Sequence, residues 1–360
     1  MSDSQTELLI ATRKGLLVLR GERGGELEVV SRRFEGQTVE YAIRDDRTGT
    51  YFASVTHGQY GPHLYRQSDP TAPTEAWEEV PLRFPEDVEA TLDRIWIVQP
   101  GVGDGELWAG VSPAALFHST DGGATWELNR ALWDDPTHAK WQGGAGGLCL
   151  HSIAPYPGDS QRLAVATSAA GVWLTEDGGA SWRQGVEGLV ARYLPEELRA
   201  TTFSWCVHNL HRAPLEPGTL YLQFHWGVYR SDDGGATWTA IGASLPSDFG
   251  FPLAIDPHNP DRAFVIPLKS DGDRVTPDGR LRVDETRDRG ASWNALNRGL
   301  PQEGTHLTIL RQAFGQDGRS PLGLAFGAES GEVFASFDGG ASWSCAARHL
   351  PPINAVRFGG

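Results

Sequence analysis

Two Cys-x-His pairs, Cys149-Leu150-His151 and Cys206-Val207-His208, carry the residue types with the sharpest chemistry in this chain. Residues i and i+2 of a strand share a face, so each pair could present a thiolate and an imidazole together. Two such pairs make a zinc-type N/S ligand set of Cys149, His151, Cys206 and His208, with His57, His63 or His225 in reserve. The same geometry weakens that reading. Pairs at matching positions of successive repeats point the same rotational way and run parallel instead of converging. The chain is therefore expected to need no cofactor, with a metal as the alternative. A second chemistry is sugar hydrolysis by a carboxylate pair, for which Glu40, Asp93 and Asp248 (in SLPSDFGFP) are the candidates. A third is binding without catalysis. Trp96, Trp141, Tyr193, Trp226 and Phe249 would form an aromatic floor, and Arg94, His151, His208 and His306 would supply polar groups around it. Such a surface suits a small molecule, a glycan or a peptide.

What must position these residues is a repeat. Five segments superimpose: STDGGATW, TEDGGASW, SDDGGATW, TRDRGASW and SFDGGASW. Their tryptophans, Trp126, Trp182, Trp238, Trp293 and Trp343, lie 56, 56, 55 and 50 residues apart, the size of a four-stranded propeller blade. In each box the Asp and Ser/Thr side chains can bond backbone amides across a turn, Gly takes the left-handed position, and Trp packs between sheets. The fourth box carries Arg289 where the others have Gly, which predicts a looser turn. GPHLYRQSD with Trp77 reads as a degenerate box, and ELLIATRKGLLVLR supplies two strands with no box. The count is seven units in one domain over 1–360. The first unit lacks its innermost strand, which INAVRF (353–358) would supply by pairing with the N-terminal strand.

The boxes fall between the third and fourth strands of each unit, so their aspartates face away from the opposite mouth and are read as structural. That other mouth receives the long connections 129–149 and 187–206, longer than most loops of a compact fold. Within them GGAGG (143–147) lacks the Lys-Ser/Thr of a phosphate loop, and PEELRA is expected to form one helical turn over the opening. Asp271, Asp273 and Asp278 crowd the turn KSDGDRVTPDGR but lack EF-hand spacing. Aligning inner-strand starts brings Glu40, Tyr41, Arg94, Trp96, Cys149, His151, Cys206, His208, His306 and Asn354 around one axis. Polar groups at a narrow axis must satisfy one another or serve a ligand.

The five boxes resemble those of the sialidase and sortilin superfamily and of the photosystem II stability and assembly factors. PAALFHSTDGGATW, GLCLHSIAP, SLPSDFGFPLAIDP and HLPPINAVRF resemble a group of soluble bacterial BNR-repeat proteins described as glycosyl hydrolase or assembly-factor related. The resemblance implies a propeller fold and leaves the activity open, because propellers host unrelated functions. A sialidase would need an arginine trio, a Tyr–Glu nucleophile pair and an acidic Asp. The family's Arg-Ile-Pro motif is absent here, and Arg94-Ile95-Trp96 is the nearest string. A net charge of −15 disfavours nucleic acid and anionic membranes as partners. Three cysteines without CxxC, and an N-terminus without a basic-then-apolar signal pattern, fit a cytoplasmic monomer.

Overall fold

Four antiparallel strands recur along the chain, and the repeat is Leu150–Tyr156, Asp159–Thr167, Gly171–Thr175 and Arg183–Gln184 in its clearest form. The computed structural model describes residues 4–359 apart from 145, 193, 197, 198 and 200–204. It is all-β: five four-stranded sheets plus one of eight strands. Inner and middle strands are buried on both faces; all five positions of Gly171–Thr175 and all seven of Gly250–Asp256 are buried. That follows from sheets stacked face to face around an axis, where neither surface of an inner strand meets water. Among the described residues no helix is long and apolar enough to cross a membrane.

The eight-stranded sheet contains the closure. Strand Gln5–Thr12 pairs antiparallel with Gly15–Glu22 on one side and with Ile353–Phe358 on the other. Strand Ile353–Phe358 in turn meets Ile309–Gln316 in a single parallel pairing, Gln312 with Ala355. The two chain ends thus share one sheet, and edges that would otherwise template association are consumed. The outermost strands elsewhere are short, such as Glu127–Leu128 and Thr239–Ala240, which keeps the remaining edges poor templates.

Each box is held by its aspartate. Asp121 accepts from the Thr125 amide at 3.0 Å and the Thr125 hydroxyl at 2.7 Å, while Ser119 Oγ accepts from the Gly123 amide at 3.0 Å. The same bonds recur around Asp177, Asp233, Asp288 and Asp338. Each box is also tied to the turn between the first two strands of its own sheet, as by Gly122 N–H to Gly105 O at 2.9 Å and Gly234 N–H to Gly218 O at 2.8 Å. Boxes and those turns therefore share one face. The looser fourth turn expected from Arg289 does not occur. Arg289 takes φ = 62° in the left-handed region, and its guanidinium bonds Asp261 and, at 2.8 Å, Glu216. The ion pairs hold a conformation that glycine adopts freely elsewhere.

One buried charge cluster lies between sheets. The Arg262 guanidinium donates to Asp256 at 2.9 Å, to Glu285 at 2.6 Å and to Gly339 O at 2.7 Å.

Stability should fall in two stages on acidification. Burial pulls His211 down to about 4 and moves His151 the same way. The unfolded chain, with histidines near 6.5, then binds protons first, so folding weakens as pH drops from about 6.5 toward 4. Asp121, held by the Thr125 amide, and Asp177, held by the Ser181 hydroxyl, are lowered to about 2. Their contribution is present above about 4 and disappears between about 4 and 2. Melting temperature measured from pH 8 to pH 2 checks this, and a flat profile between pH 7 and 4.5 would contradict the histidine stage.

Candidate functional site

A cavity of about 660 Å³ opens at the axial mouth on the face opposite the boxes. Its wall is built from three kinds of segment. Inner-strand starts give Thr38, Glu40, Arg94, Trp96 and Asn354; the strand Ile309–Gln316 gives Leu310, Arg311 and Gln312; turns between second and third strands give Arg13, Arg274 and Glu329. Four arginines against two glutamates make this wall cationic in a chain of net charge −15. Three of them are partnered: Arg13 with Glu329 at 2.6 Å, Arg94 with Glu40 at 3.3 Å, and Arg274 with Asp271 at 2.8 Å. Arg311 has no carboxylate at ion-pair distance among the described residues. It donates to His208 O, approaches the buried Cys149, and lies 5.2 Å from the Trp96 ring centre, with Arg94 at 4.6 Å from the same ring. Burial lowers the pKa of Arg311, yet a guanidinium keeps its proton at any physiological pH.

The floor of the cavity is a set of hydrogen bonds that cross the axis. Gln312 Nε2 donates to His151 O at 2.8 Å, and Asn209 Nδ2 donates to Arg311 O at 3.0 Å. Arg311 reaches His208 O, and Arg357 bonds both Gln312 and, at 3.1 Å, the Tyr41 hydroxyl. These bonds are made by Gln312, Asn209, Arg311 and Arg357, which the strand alignment does not place at the axis; of the residues it does place, Tyr41 joins through its hydroxyl, whereas the Trp96 indole N–H is buried without a partner among the described residues.

A model of the BNR/Asp-box repeat matches residues 117–128 and 229–240. The chain is a BNR/Asp-box-repeat propeller. This BNR propeller is 24% identical over 283 residues to an oligoxyloglucan-reducing end-specific xyloglucanase of Emericella nidulans, a match covering 71% of the chain and 32% of that enzyme. The chain thus spans about a third of the length of its curated relative. Among solved structures it resembles a GH74 enzyme of Niastella koreensis, with TM-score 0.57, 16% identity, and coverage of 94% of this chain and 46% of that one. It also resembles YCF48 bound to D1 peptide, with TM-score 0.50, 13% identity, and coverage of 92% and 85%. At these identities the structural likeness concerns the fold.

Against the BNR frame, the predicted site residues divide. Glu40, Arg94, Trp96 and Asn354 line the cavity as the strand alignment places them. Asp93 is exposed and outside the cavity wall, and Asp248 pairs with Arg192 at 3.1 Å, also outside it. The expected carboxylate set is therefore reduced to Glu40, and the second carboxylate of the cavity is Glu329, which sequence reading missed. His151 is fully buried, its Nε2 on Val207 O and its Nδ1 on Ser152 Oγ, both at 2.9 Å, so neither nitrogen is left for a metal or ligand. Cys149 is buried and does not join His208 in a ligand cluster. His306 is exposed and precedes its strand, because residues before it are tied to the previous sheet by Thr305 N–H to Gly279 O at 2.9 Å. Trp141 packs on Trp173 at 5.1 Å, and Trp226 on His225 at 4.1 Å; neither lines the cavity. Phe249 packs against His208 and His225. Its near neighbour Phe251 takes the wall position. Tyr193 and part of PEELRA lie outside the described residues. His57 bonds the Tyr65 hydroxyl and His63 bonds Glu79, so both are engaged within their own sheet.

Arg13, Arg274, Arg311 and Glu329 carried no repeat signal. Three sit on turns whose lengths vary, and the fourth, Arg311, lies within a strand whose register is broken between Ile309 and Phe314.

Proposed function

We propose that this chain is a monomeric, cytoplasmic, single-domain propeller of seven blades, the eight-stranded sheet counting as two. It binds an anionic ligand at the axial mouth opposite the Asp boxes, and its ligand is a small acid, an acidic glycan or an acidic peptide segment. Arg311 carries this reading: a cation held in the cavity wall with its carboxylate partner missing among the described residues. A desolvated guanidinium gains most from an anion that can accept two of its N–H groups. Trp96, covered by Arg94 and Arg311, offers an aromatic edge against which a ring or side chain can lie. YCF48 with its D1 peptide supports a binding role for a propeller of this shape.

A second reading keeps glycoside hydrolysis, supported by the xyloglucanase relative and by Glu40 and Glu329 in one cavity. Both carboxylates are already engaged by arginines, which favours binding over acid catalysis.

Paired ligands separate these readings. Galacturonate against galactose, a sugar phosphate against the free sugar, and an acidic against an amidated peptide should each raise the melting temperature only in the anionic form, and less at high salt. Equal stabilisation by the neutral partners would refute anion recognition. Release of reducing ends from xyloglucan oligosaccharides would favour the hydrolase.

A further inference from the structure

Beside the cavity, and unused by the anion reading, three metal-ligating side chains converge. Cys206 Sγ and one ring nitrogen each of His208 and His225 lie within 4.8 Å of one another. The convergence comes from the hairpin. Cys206 and His208 stand two residues apart at the start of Val207–Arg212, and His225 lies opposite Cys206 across the antiparallel pair, its amide donating to Cys206 O at 3.0 Å. The imidazoles are prepared differently from ordinary core histidines. His208 Nδ1 donates to Gly250 O at 2.6 Å, which fixes the tautomer and leaves Nε2 as a lone-pair donor without a hydrogen-bond partner among the described residues. The His225 ring makes no hydrogen bond there either; its Nε2 stands 3.6 Å from Asp271 Oδ2. Asp271 is itself oriented by Arg274 through its other oxygen at 2.8 Å. Phe249, Phe251 and Trp226 pack around the two rings and restrict water.

We propose that Cys206, His208 and His225 bind one zinc ion, with Asp271 as the fourth ligand. The donor types match: borderline-soft Zn²⁺ takes thiolate, imidazole and carboxylate in a tetrahedron. Such a tetrahedron has donor separations of roughly 3.3–3.7 Å, so Cys206, His208 and His225 need to close by about 1 Å, and Asp271, which stands 3.6 Å from His225 Nε2 but outside the group of three, must turn further toward the other two, by side-chain rotation. Charge also balances, since a thiolate and a carboxylate neutralise the dication and leave Arg311 and Arg274 cationic. The site differs from the two parallel Cys-x-His pairs that the sequence suggests. It takes one member pair and completes it from the next strand and the next sheet, which strand-face geometry within a single strand does not reveal.

The test uses the full chain, stripped of metal and titrated with Zn²⁺ alone, then with Co²⁺ as a spectroscopic substitute. About one equivalent of zinc should be retained after gel filtration, and Co²⁺ should give both the visible bands of a four-coordinate ion and a thiolate charge-transfer band. Cys206→Ser should remove the charge-transfer band, and His225→Ala should lower retained zinc to below about one tenth of an equivalent. Cys149→Ser, outside the cluster, should leave both unchanged. Circular dichroism of each variant shows whether the fold is kept, and the wild-type Co²⁺ spectrum stands independently of the variants. Zinc well below one equivalent in the wild type, a Co²⁺ spectrum without the thiolate band, or a band lost with Cys149→Ser instead of Cys206→Ser would overturn the assignment.

Discussion

Replacing Arg311 by alanine should abolish binding of an anionic ligand at the axial mouth while the ring of sheets persists. A charge-assisted, desolvated contact of this kind is worth about 2–5 kcal/mol when truncated, a loss of roughly 30-fold to several thousand-fold in affinity. Arg311→Lys should recover only part, because an ammonium cannot present the planar fork that pairs two acceptors at once. Arg94→Ala should weaken binding less, since Arg94 already answers to Glu40. Titration calorimetry with whichever acid gives the largest thermal shift supplies the measurement, with circular dichroism to confirm the fold. Unchanged affinity in Arg311→Ala would remove the residue on which the binding reading rests. A uniform loss in Arg311→Ala and Arg94→Ala would point to general electrostatic attraction by the mouth instead of a specific contact.

The largest expected loss of stability belongs to Arg262→Ala. The Asp256 and Glu285 side chains are 9% and 4% exposed, and Arg262 is the cation placed against both. Alanine would leave Asp256 buried without its counter-charge beside Glu285, which keeps only Arg287 at 2.7 Å on its other oxygen. Breaking a buried pair in this way costs about 3–5 kcal/mol, which at this chain length corresponds to a fall in melting temperature of several degrees or more. Arg262→Met combined with Asp256→Asn and Glu285→Gln should be far milder than the single change, since no uncompensated charge is then buried. A loss below about 1 kcal/mol for Arg262→Ala would mean that water reaches the cluster freely.

The fold was readable because its signal is local and repeated. An Asp that accepts from amides three and four residues on, followed by a Trp whose indole packs between sheets, writes the same short string wherever the turn occurs. INAVRF was readable for a related reason: a buried-type strand with no sequence partner must find its partner elsewhere, and Gln5–Thr12 supplies it. The mouth was only half readable. Glu40, Arg94 and Trp96 stand at inner-strand starts, where aligning repeats gives register directly. Arg311 lies within a register break, and Arg13, Arg274 and Glu329 stand on turns, where alignment of repeats has no purchase. His225 stands in the sequence only as a reserve ligand beside His57 and His63, because same-strand geometry does not single it out; cross-strand pairing does, since it lies opposite Cys206 in the hairpin.

The bonds across the axis carry a consequence for how such a molecule can change over evolutionary time. Solenoids and propellers usually gain or lose whole repeats by duplication and deletion, because each unit speaks only to its neighbours. Here Gln312 reaches His151 and Asn209 reaches Arg311, joining units that are not neighbours. Those bonds act like spokes cut to one wheel. A ring with one unit more would stretch them and one with a unit fewer would crush them. Descendants that alter the repeat number must therefore first surrender the polar floor, and with it the fixed position of Arg311.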